Sequence, residues 1–195
     1  MGDHQSGRAL IVPGSHTGLY LWGRTSDEPL QPLARTAWEV RDGVPLVNTG
    51  AIRSLDAVEQ LFDAGVGSPR LATYLAQAGI TTLIVRNDLA YTAEGAPRPL
   101  LVHRTLADSP GFTRRVTFGG SLGVNDVGQD SGLQLPYPAL EIFSVDGAAP
   151  SPVTAQLATS ASLVSGGPES LLTLPVAGPT TVSYTHLTLP TKRIV

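Results

Sequence analysis

The feature that most constrains the fold is a helical segment that ends at a glycine and leads directly into a β-branched strand. Ser68-Pro69 supplies an N-cap residue and a proline suited to the first helical position. Gly79 ends the segment, and residues 80–85 (ITTLIV) follow as an apolar strand. The apolar positions of the helix share one face: Leu71, Tyr74, Leu75 and Ala78. Such a short turn returns the chain to a sheet covered on both faces.

Two other segments show helical periodicity. Residues 54–64 have apolar side chains at 3.6-residue spacing, with Ser54 as a candidate N-cap and Gly65 as the residue that ends the helix. Residues 99–108 have a weaker pattern of the same kind. The sequence therefore predicts three helices.

The remaining apolar runs predict strands, separated by long irregular stretches. Residues 18–48 lack a sustained period and are predicted to be a surface excursion with short extended pieces. Residues 119–138 are rich in Gly and Asp and are predicted to be a loop, and residues 153–163 alternate imperfectly and form a possible further strand. The clearer strands are residues 8–13, 80–85, 112–118 and 139–145.

This order of elements predicts an α/β or α+β class with a mixed, partly antiparallel sheet and three helices in a single soluble domain, truncated at its C-terminus. Residues 1–148 are expected to be the α/β domain, and residues 149–181 the start of a β-rich segment that is cut short. Residues 182–195 contain VSYTHLTLPT, which reverse-translates to a sequencing adaptor, and Lys192 there is the only lysine. This tail is expected to be no part of the native protein.

Composition excludes several classes of function. The formal net charge is −3 and basic residues are not clustered, so no nucleic-acid partner is expected. The chain has no cysteine, and its four histidines lack ligand spacing, so no metal site and no cofactor are expected. No apolar run is long enough to cross a bilayer.

The first candidate site combines an aromatic ring with charged groups. Sugars are often bound by an aromatic face while carboxylates and arginine take the hydroxyl groups. The residues concerned are Trp22, Arg24, Asp27 and Glu28, a candidate glycan-binding set. The alternative is that Trp22 anchors a long loop on the core and that the two acids form caps or pair with arginine. This alternative is favoured, because large aromatic side chains dominate packing.

The second candidate site is Arg86, Asn87 and Asp88, at the carboxyl end of the predicted strand 80–85. Open α/β sheets bind ligands at that end of their strands. The alternative is a charged turn in which Asn87 or Asp88 caps the next segment and Arg86 pairs locally. Without further evidence the turn is the favoured interpretation.

No catalytic residue is predicted. Ser15 and His16 follow a strand, but the serine comes directly after Gly14, so the G-x-S-x-G pattern of a nucleophile elbow is absent. Residues 119–123 (GGSLG) lack dinucleotide-loop spacing and are predicted to be a turn.

Four passages together resemble the actinobacterial α-(1→3)-arabinofuranosyltransferase family. They cover most of residues 7–174 in the right order, and WGRT…DEPLQ and LIVRNDL are the most specific pieces. The four passages are GRALIVPGSHTGLYLWGRTSDEPLQPLA (7–34), YLAQAGITTLIVRNDL (74–89), PALEIFSVD (138–146) and VSGGPESLL (164–172).

The resemblance implies a fragment of a very large, multi-spanning GT-C-type membrane enzyme of cell-wall biogenesis. Such enzymes transfer arabinofuranosyl units from a decaprenyl-phosphate donor to the arabinan of arabinogalactan or lipoarabinomannan. It also implies that this piece lies on the extracytoplasmic face of the plasma membrane, next to the membrane-embedded part of the same chain, and that the catalytic carboxylate lies elsewhere. The piece is then a scaffold that faces an arabinan acceptor. The alternative is a non-enzymatic module that binds a glycan or a partner protein.

Overall fold

The computed structural model describes seven stretches of the chain: residues 7–15, 18–25, 27–42, 49–123, 136–147, 162–173 and 180–183. Within them, no helix has both the length and the apolar character needed to cross a membrane. The α/β class predicted from the sequence is confirmed.

A five-stranded mixed sheet forms the centre of the fold. In chain order its strands are β1 (Arg8–Ser15), β4 (Trp38–Asp42), β5 (Ile80–Arg86), β6 (Phe112–Leu122) and β7 (Tyr137–Val145). Their spatial order is β4-β1-β5-β7-β6. Strands β4 and β5 flank β1 in parallel, while β7 runs antiparallel to both β5 and β6.

Two small strand pairs accompany the main sheet. Strands β2 (Leu19–Tyr20) and β3 (Gly23–Arg24) form an antiparallel hairpin. Strands β8 (Ser162–Ser165) and β9 (Thr180–Ser183) pair in parallel. Most of the possible strand at residues 153–163 lies outside the described residues. The division of the chain into residues 1–148, 149–181 and 182–195 stays a prediction.

The helices of the described residues fall into two length classes. The three longer ones, which correspond to the three predicted helices, are α2 (Thr49–Ala64), α3 (Leu71–Gln77) and α5 (Pro99–Ala107). Three others have four residues each: α1 (Leu30–Leu33), α4 (Tyr91–Glu94) and α6 (Ser170–Thr173).

The core lies between one face of the sheet and the three longer helices. Alternate strand residues point to this face, because successive side chains of a strand point to opposite sides. Burying each large apolar side chain contributes about 1.5–3 kcal/mol. The sheet supplies Leu10, Val12, Leu83, Val85, Phe143 and Val145, and the helices supply Val58, Phe62, Leu71, Leu75 and Val102 among others.

The predicted start of α2 was wrong. The helix begins at Thr49, five residues before Ser54. The Ser54 hydroxyl donates to the Gly50 carbonyl at 3.0 Å, so this serine satisfies its side chain inside the helix instead of capping it. The predicted end holds, because Gly65 adopts a positive φ of 62° directly after Ala64.

The predicted start of α3 was wrong, whereas its predicted end holds. Ser68 Oγ accepts from the Arg70 backbone N–H at 3.2 Å, but the N-cap residue is Arg70 and the helix begins at Leu71, so Ser68 and Pro69 precede the helix. Gly79 has a φ of 78°, and β5 begins at the next residue. The compact turn therefore brings the chain from α3 straight into the sheet.

Two strands extend the sheet beyond the strands predicted from the sequence. Strand β4 lies in the stretch predicted as a surface excursion with short extended pieces, and it is a five-residue edge strand of the main sheet. Strand β6 continues past Phe118 to Leu122, where a turn was predicted. Gly119 has a φ of 78°, and a Cβ there would lie 2.6 Å from the Ala139 Cβ. This glycine therefore marks a close approach of β7 inside a strand.

Candidate functional site

The carboxyl ends of the parallel strands β1 and β5 lie at one edge of the sheet, beside the β2–β3 hairpin. Leu21 N–H donates to the Asp88 carbonyl at 2.8 Å, and Ala90 N–H donates to the Leu19 carbonyl at 2.9 Å. A further bridge joins Tyr20 and Leu89. The backbone just after β5 is thereby fixed to the hairpin, which brings the two candidate sites of the sequence together.

Arg86 is the centre of this site and is only 3% exposed. Its Nε donates to the Pro13 carbonyl at 2.9 Å. Its Nη1 donates to the Tyr20 hydroxyl at 2.8 Å and to Glu28 Oε2 at 2.7 Å. The guanidinium thus joins β5, the end of β1, the hairpin and the segment before α1.

Tyr20 connects the two charged groups. Its hydroxyl accepts from Arg86 and donates to Glu28 Oε1 at 3.3 Å. Burial raises the pKa of Tyr20 to about 12; Arg86 opposes that rise and Glu28 adds to it. The phenol therefore stays neutral and can serve as acceptor and donor at once.

Trp22 lies on the outer side of Tyr20 and remains 62% exposed. The two rings stack with centroids 4.8 Å apart and an interplanar angle of 21°. The indole Nε1 donates to Asp88 Oδ2 at 2.8 Å. One side chain therefore combines an exposed aromatic surface with a fixed orientation.

Two polar atoms of the site are buried without a hydrogen-bond partner in the described structure: Arg86 Nη2 and Asp88 Oδ1. A buried donor or acceptor left unsatisfied costs about 1–3 kcal/mol. Such groups are rare in folded proteins and call for an explanation. One is a donor and the other an acceptor, and both belong to residues that contact the Tyr20–Trp22 stack.

Ser15 and Glu94 form a neighbouring buried contact. Ser15 Oγ donates to Glu94 Oε2 at 2.7 Å and accepts from the Gly18 N–H at 2.8 Å. Glu94 Oε1 accepts from the Leu19 N–H at 3.0 Å. The serine is thus held by a carboxylate, an arrangement that fixes the start of the hairpin and provides no general base of the histidine type.

Asn87 points to the opposite face of the sheet, where it meets Glu141. Glu141 is fully buried, and its Oε2 accepts from Asn87 Nδ2 at 3.0 Å and from His103 Nε2 at 2.8 Å. Its Oε1 accepts from Arg114 Nη1 at 3.1 Å. The carboxylate therefore joins α5 to strands β6 and β7 and to the residue that follows β5.

His103 stacks on Tyr137 with centroids 3.8 Å apart and an angle of 2°. Burial lowers the pKa of His103; Glu141 raises it and Arg114 lowers it. Burial and, secondarily, Glu141 raise the pKa of Tyr137. The contact of His103 with Glu141 is therefore mainly a hydrogen bond near neutral pH.

Glu59 of α2 reaches the end of β1, where its carboxylate accepts a hydrogen bond from the Gly14 backbone. Burial is the main reason that the pKa of Glu59 rises to about 7. The Gly14 contact, Arg86 and Arg41 oppose the rise, and Asp63 adds to it.

The candidate residues from the sequence fall into three groups. Trp22, Glu28, Arg86 and Asp88 form the joined site, and Asn87 belongs to the Glu141 cluster. Arg24 and Asp27 are exposed, and neither is part of the hydrogen-bonded site described above. Over the described residues, no three His, Asp or Glu side chains are grouped to hold a metal ion.

Sequence reasoning missed the roles of Glu94, Glu141 and His103. A usable signal existed for Glu141, the one charged residue within the predicted strand 139–145, ALEIFSV. A carboxylate in a buried strand must be paired. No comparable signal linked Glu94 to Ser15, 79 residues away.

Comparison with known proteins gives the same family in each case. The family described as "Alpha-(1->3)-arabinofuranosyltransferase, N-terminal GT-C domain" matches residues 1–191. An α-(1→3)-arabinofuranosyltransferase of Mycobacterium tuberculosis is 43% identical over 173 residues, which is 86% of this chain and 12% of the relative. The enzyme of the same name from Mycolicibacterium smegmatis is 42% identical over 179 residues, 86% of this chain and 13% of the relative.

A cryo-EM structure of the arabinofuranosyltransferase AftD from mycobacteria superposes with a TM-score of 0.81 at 40% identity. It covers 92% of this chain, and the chain covers 15% of that structure. A structure of its R1389S mutant gives a TM-score of 0.78 at 43% identity. The chain therefore spans about an eighth of the length of these curated relatives, and it belongs to the α-(1→3)-arabinofuranosyltransferase family.

Proposed function

We propose that the chain is a scaffold segment of an enzyme that transfers arabinofuranosyl units from decaprenyl-phosphate-arabinose to cell-wall arabinan, and that it faces the arabinan acceptor. The observation that carries this proposal is the TM-score of 0.81 at 40% identity over 92% of the chain, against only 15% of the AftD structure. The chain retains the fold of one part of a much larger transferase. We therefore assign to it the structural role of that part.

The segment has no catalytic centre of its own in this proposal. The acids of the site are used in structural contacts: Glu28 with Arg86 and Tyr20, and Glu94 with Ser15. A carboxylate held by a buried guanidinium is poorly suited to accept a proton from an acceptor hydroxyl. The catalytic group then lies in another part of the longer transferase.

The proposed partner is the membrane-embedded part of the same longer chain, at the extracytoplasmic face. The support is the sheet face opposite the longer helices. Ile84, Ile142 and Val116 are register partners on this face, and Leu140 with Phe118 extends it. Val116 is 39% and Phe118 52% exposed. An exposed apolar surface of this kind often marks a contact with another chain segment.

A transfer assay tests the proposal. The isolated chain and a full-length family member are each incubated with decaprenyl-phosphate-arabinose and an arabinan acceptor. We expect turnover by the full-length protein and none by the isolated chain. Turnover by the isolated chain would overturn the scaffold role.

A second function is favoured by the exposed Trp22 ring: a non-enzymatic module that binds a glycan or a partner protein. Calorimetric titration of the chain with an arabinan oligosaccharide distinguishes the two. Saturable binding that is lost in Trp22→Ala and Arg24→Ala supports the module, whereas no binding supports a scaffold alone.

A further inference from the structure

We infer that Arg86 and Asp88 form a subsite for a neutral, polyhydroxylated sugar, and that Trp22 covers it. The inference deepens the proposed acceptor-facing role and depends on it. Arg86 Nη2 offers a hydrogen-bond donor, and Asp88 Oδ1 offers an acceptor; both are buried and unpartnered in the described structure. A pair of neighbouring sugar hydroxyls, one accepting and one donating, satisfies both atoms.

Arg86 and Asp88, the residues that carry the two atoms, are each hydrogen-bonded to one of two stacked rings. Arg86 Nη1 donates to the Tyr20 hydroxyl at 2.8 Å, and Trp22 Nε1 donates to Asp88 Oδ2 at 2.8 Å. Because Tyr20 and Trp22 stack at 4.8 Å, the guanidinium and the carboxylate are anchored to adjacent rings. Arg86 is the last residue of β5, and Asp88 follows it two positions later.

The charge of the subsite selects a neutral sugar over a phosphate. Arg86 is already paired with Glu28 Oε2 at 2.7 Å, so its charge is compensated. Asp88 adds a second carboxylate whose described partner is the neutral indole N–H. Arg86, Glu28 and Asp88 together carry one net negative charge, which repels a phosphate group. The subsite therefore suits the neutral glycan acceptor and excludes the phosphate of the donor.

Access requires movement of the β2–β3 hairpin tip, because both unpartnered atoms are shielded from solvent. The tip residues Leu21 and Trp22 are 57% and 62% exposed, so opening the tip breaks the Trp22–Tyr20 stack and the indole–Asp88 hydrogen bond but exposes no buried core. A sugar hydroxyl can replace the indole N–H on Asp88, and the displaced ring can stack on the sugar face. Binding must then change the environment of Trp22.

Fluorescence titration tests the inference. Trp38→Phe leaves Trp22 as the single tryptophan, since the chain has two. The probes are a linear oligo-arabinofuranoside and inorganic phosphate. We expect a saturable change in Trp22 emission with the oligosaccharide and no saturable change with phosphate. Saturable binding of phosphate that is lost in Arg86→Lys would overturn the charge argument.

Two variants assign the binding to the subsite. Arg86→Lys keeps the positive charge opposite Glu28 but removes the unpartnered Nη2 donor. Asp88→Asn still offers Trp22 an oxygen acceptor, but it presents an amide donor where Asp88 has the unpartnered Oδ1 acceptor. Each is expected to weaken oligosaccharide binding by about tenfold or more, because a hydrogen bond to a charged group is lost. Arg104→Ala, at an exposed position of α5 outside every candidate site, is the matched control and should bind as the parent does.

The outcomes separate the subsite from the proposed function. Circular dichroism first confirms that both variants fold. If both then bind the oligosaccharide as the parent does, the subsite is overturned while the acceptor-facing role stands. If one variant fails to fold, the other decides. Absence of any oligosaccharide binding also overturns the subsite, whereas the transfer assay with the full-length protein judges the proposed function independently.

Discussion

The Arg86 guanidinium and the Glu28 carboxylate form an ion pair of 2.7 Å whose arginine side chain is 2% exposed and whose glutamate is 15% exposed. The two residues are 58 positions apart, so the pair fixes the segment before α1 to the carboxyl end of β5. Taking such charges out of water is costly unless each keeps its partner.

Removal of one partner of this pair should therefore be strongly destabilising. Arg86→Met leaves Glu28 without its cation and is expected to lower the free energy of unfolding by about 3–5 kcal/mol in urea denaturation. Arg8→Gln breaks an ion pair of 3.5 Å to Glu39 with a half-exposed arginine, and should cost less than about 1 kcal/mol. Equal losses in the two variants would contradict the structural role of the Arg86–Glu28 pair.

His103 should titrate in opposite directions in two variants of its neighbours. Glu141 raises the pKa of His103 and Arg114 lowers it, while burial lowers it most. Glu141→Gln is therefore expected to lower the His103 pKa further, and Arg114→Gln to raise it. NMR titration of the imidazole measures both, with His103→Gln to assign the signal. A shift of the same sign in both variants would refute the arrangement around Glu141.

The same depressed pKa makes stability depend on pH. An unfolded histidine titrates near 6.5, so below that pH the unfolded state binds a proton that the folded state resists. The contribution of His103 to the free energy of unfolding is therefore present above this pH and falls on acidification towards the folded pKa. Comparison of the parent with His103→Gln isolates this contribution.

Glu59 should have the opposite dependence. Its folded pKa of about 7 lies above the ordinary value of 4.5, so the folded state binds a proton that the unfolded state has released. Its effect on stability is most favourable below pH 4.5 and is lost as the pH rises through 7. At about 1.4 kcal/mol per pKa unit, the loss is at most about 3 kcal/mol.

Glu59→Gln tests this dependence, because glutamine does not ionise. The difference in the free energy of unfolding between variant and parent should grow in favour of the variant from pH 4.5 to pH 7.5. Asp63→Asn serves as the comparison: the pKa of Asp63 is also raised by burial, yet Asp63 is the more exposed side chain. A pH-independent difference for Glu59→Gln would show that this carboxylate is not stabilised in its neutral form.

The parts of the fold that were predictable depend on local chemistry. Gly79 next to a β-branched run determines a turn and a strand whatever the rest of the chain does, and α5 follows from its own periodicity within one residue. Strand β4 was not singled out, because it has only five residues, and so short an alternation of apolar and charged side chains is a weak signal within an irregular stretch.

The site was predictable as two separate halves only. Trp22 and Glu28 were singled out as one cluster and Arg86 and Asp88 as another, but spacing along the chain contains no information on a pairing across 58 or 66 residues. Tertiary contacts made by the β2–β3 hairpin join the halves. Arg24 takes no part in the hydrogen-bonded site described above, although it is only two residues from Trp22 in the hairpin.

Two glycines with positive φ distinguish backbone strain from steric conflict. Gly79 has a φ of 78°, and an added Cβ would meet no atom within 4 Å. Gly79→Ala should therefore lower the free energy of unfolding by about 1–2 kcal/mol, the penalty for holding alanine in the left-handed conformation. Gly111 has a φ of 93°, and its added Cβ would lie 2.6 Å from the Ala72 Cβ in α3. Because a β-carbon cannot rotate away, α3 must shift.

Gly111→Ala is accordingly expected to lower the free energy of unfolding by about 1–3 kcal/mol more than Gly79→Ala, the added cost of overpacking. Urea denaturation of both variants measures the difference. The double variant Gly111→Ala with Ala72→Gly removes the conflicting Cβ and should recover part of the steric cost, after allowance for the effect of Ala72→Gly alone. If Gly111→Ala costs no more than Gly79→Ala, the tight packing of the α5–β6 turn against α3 is wrong.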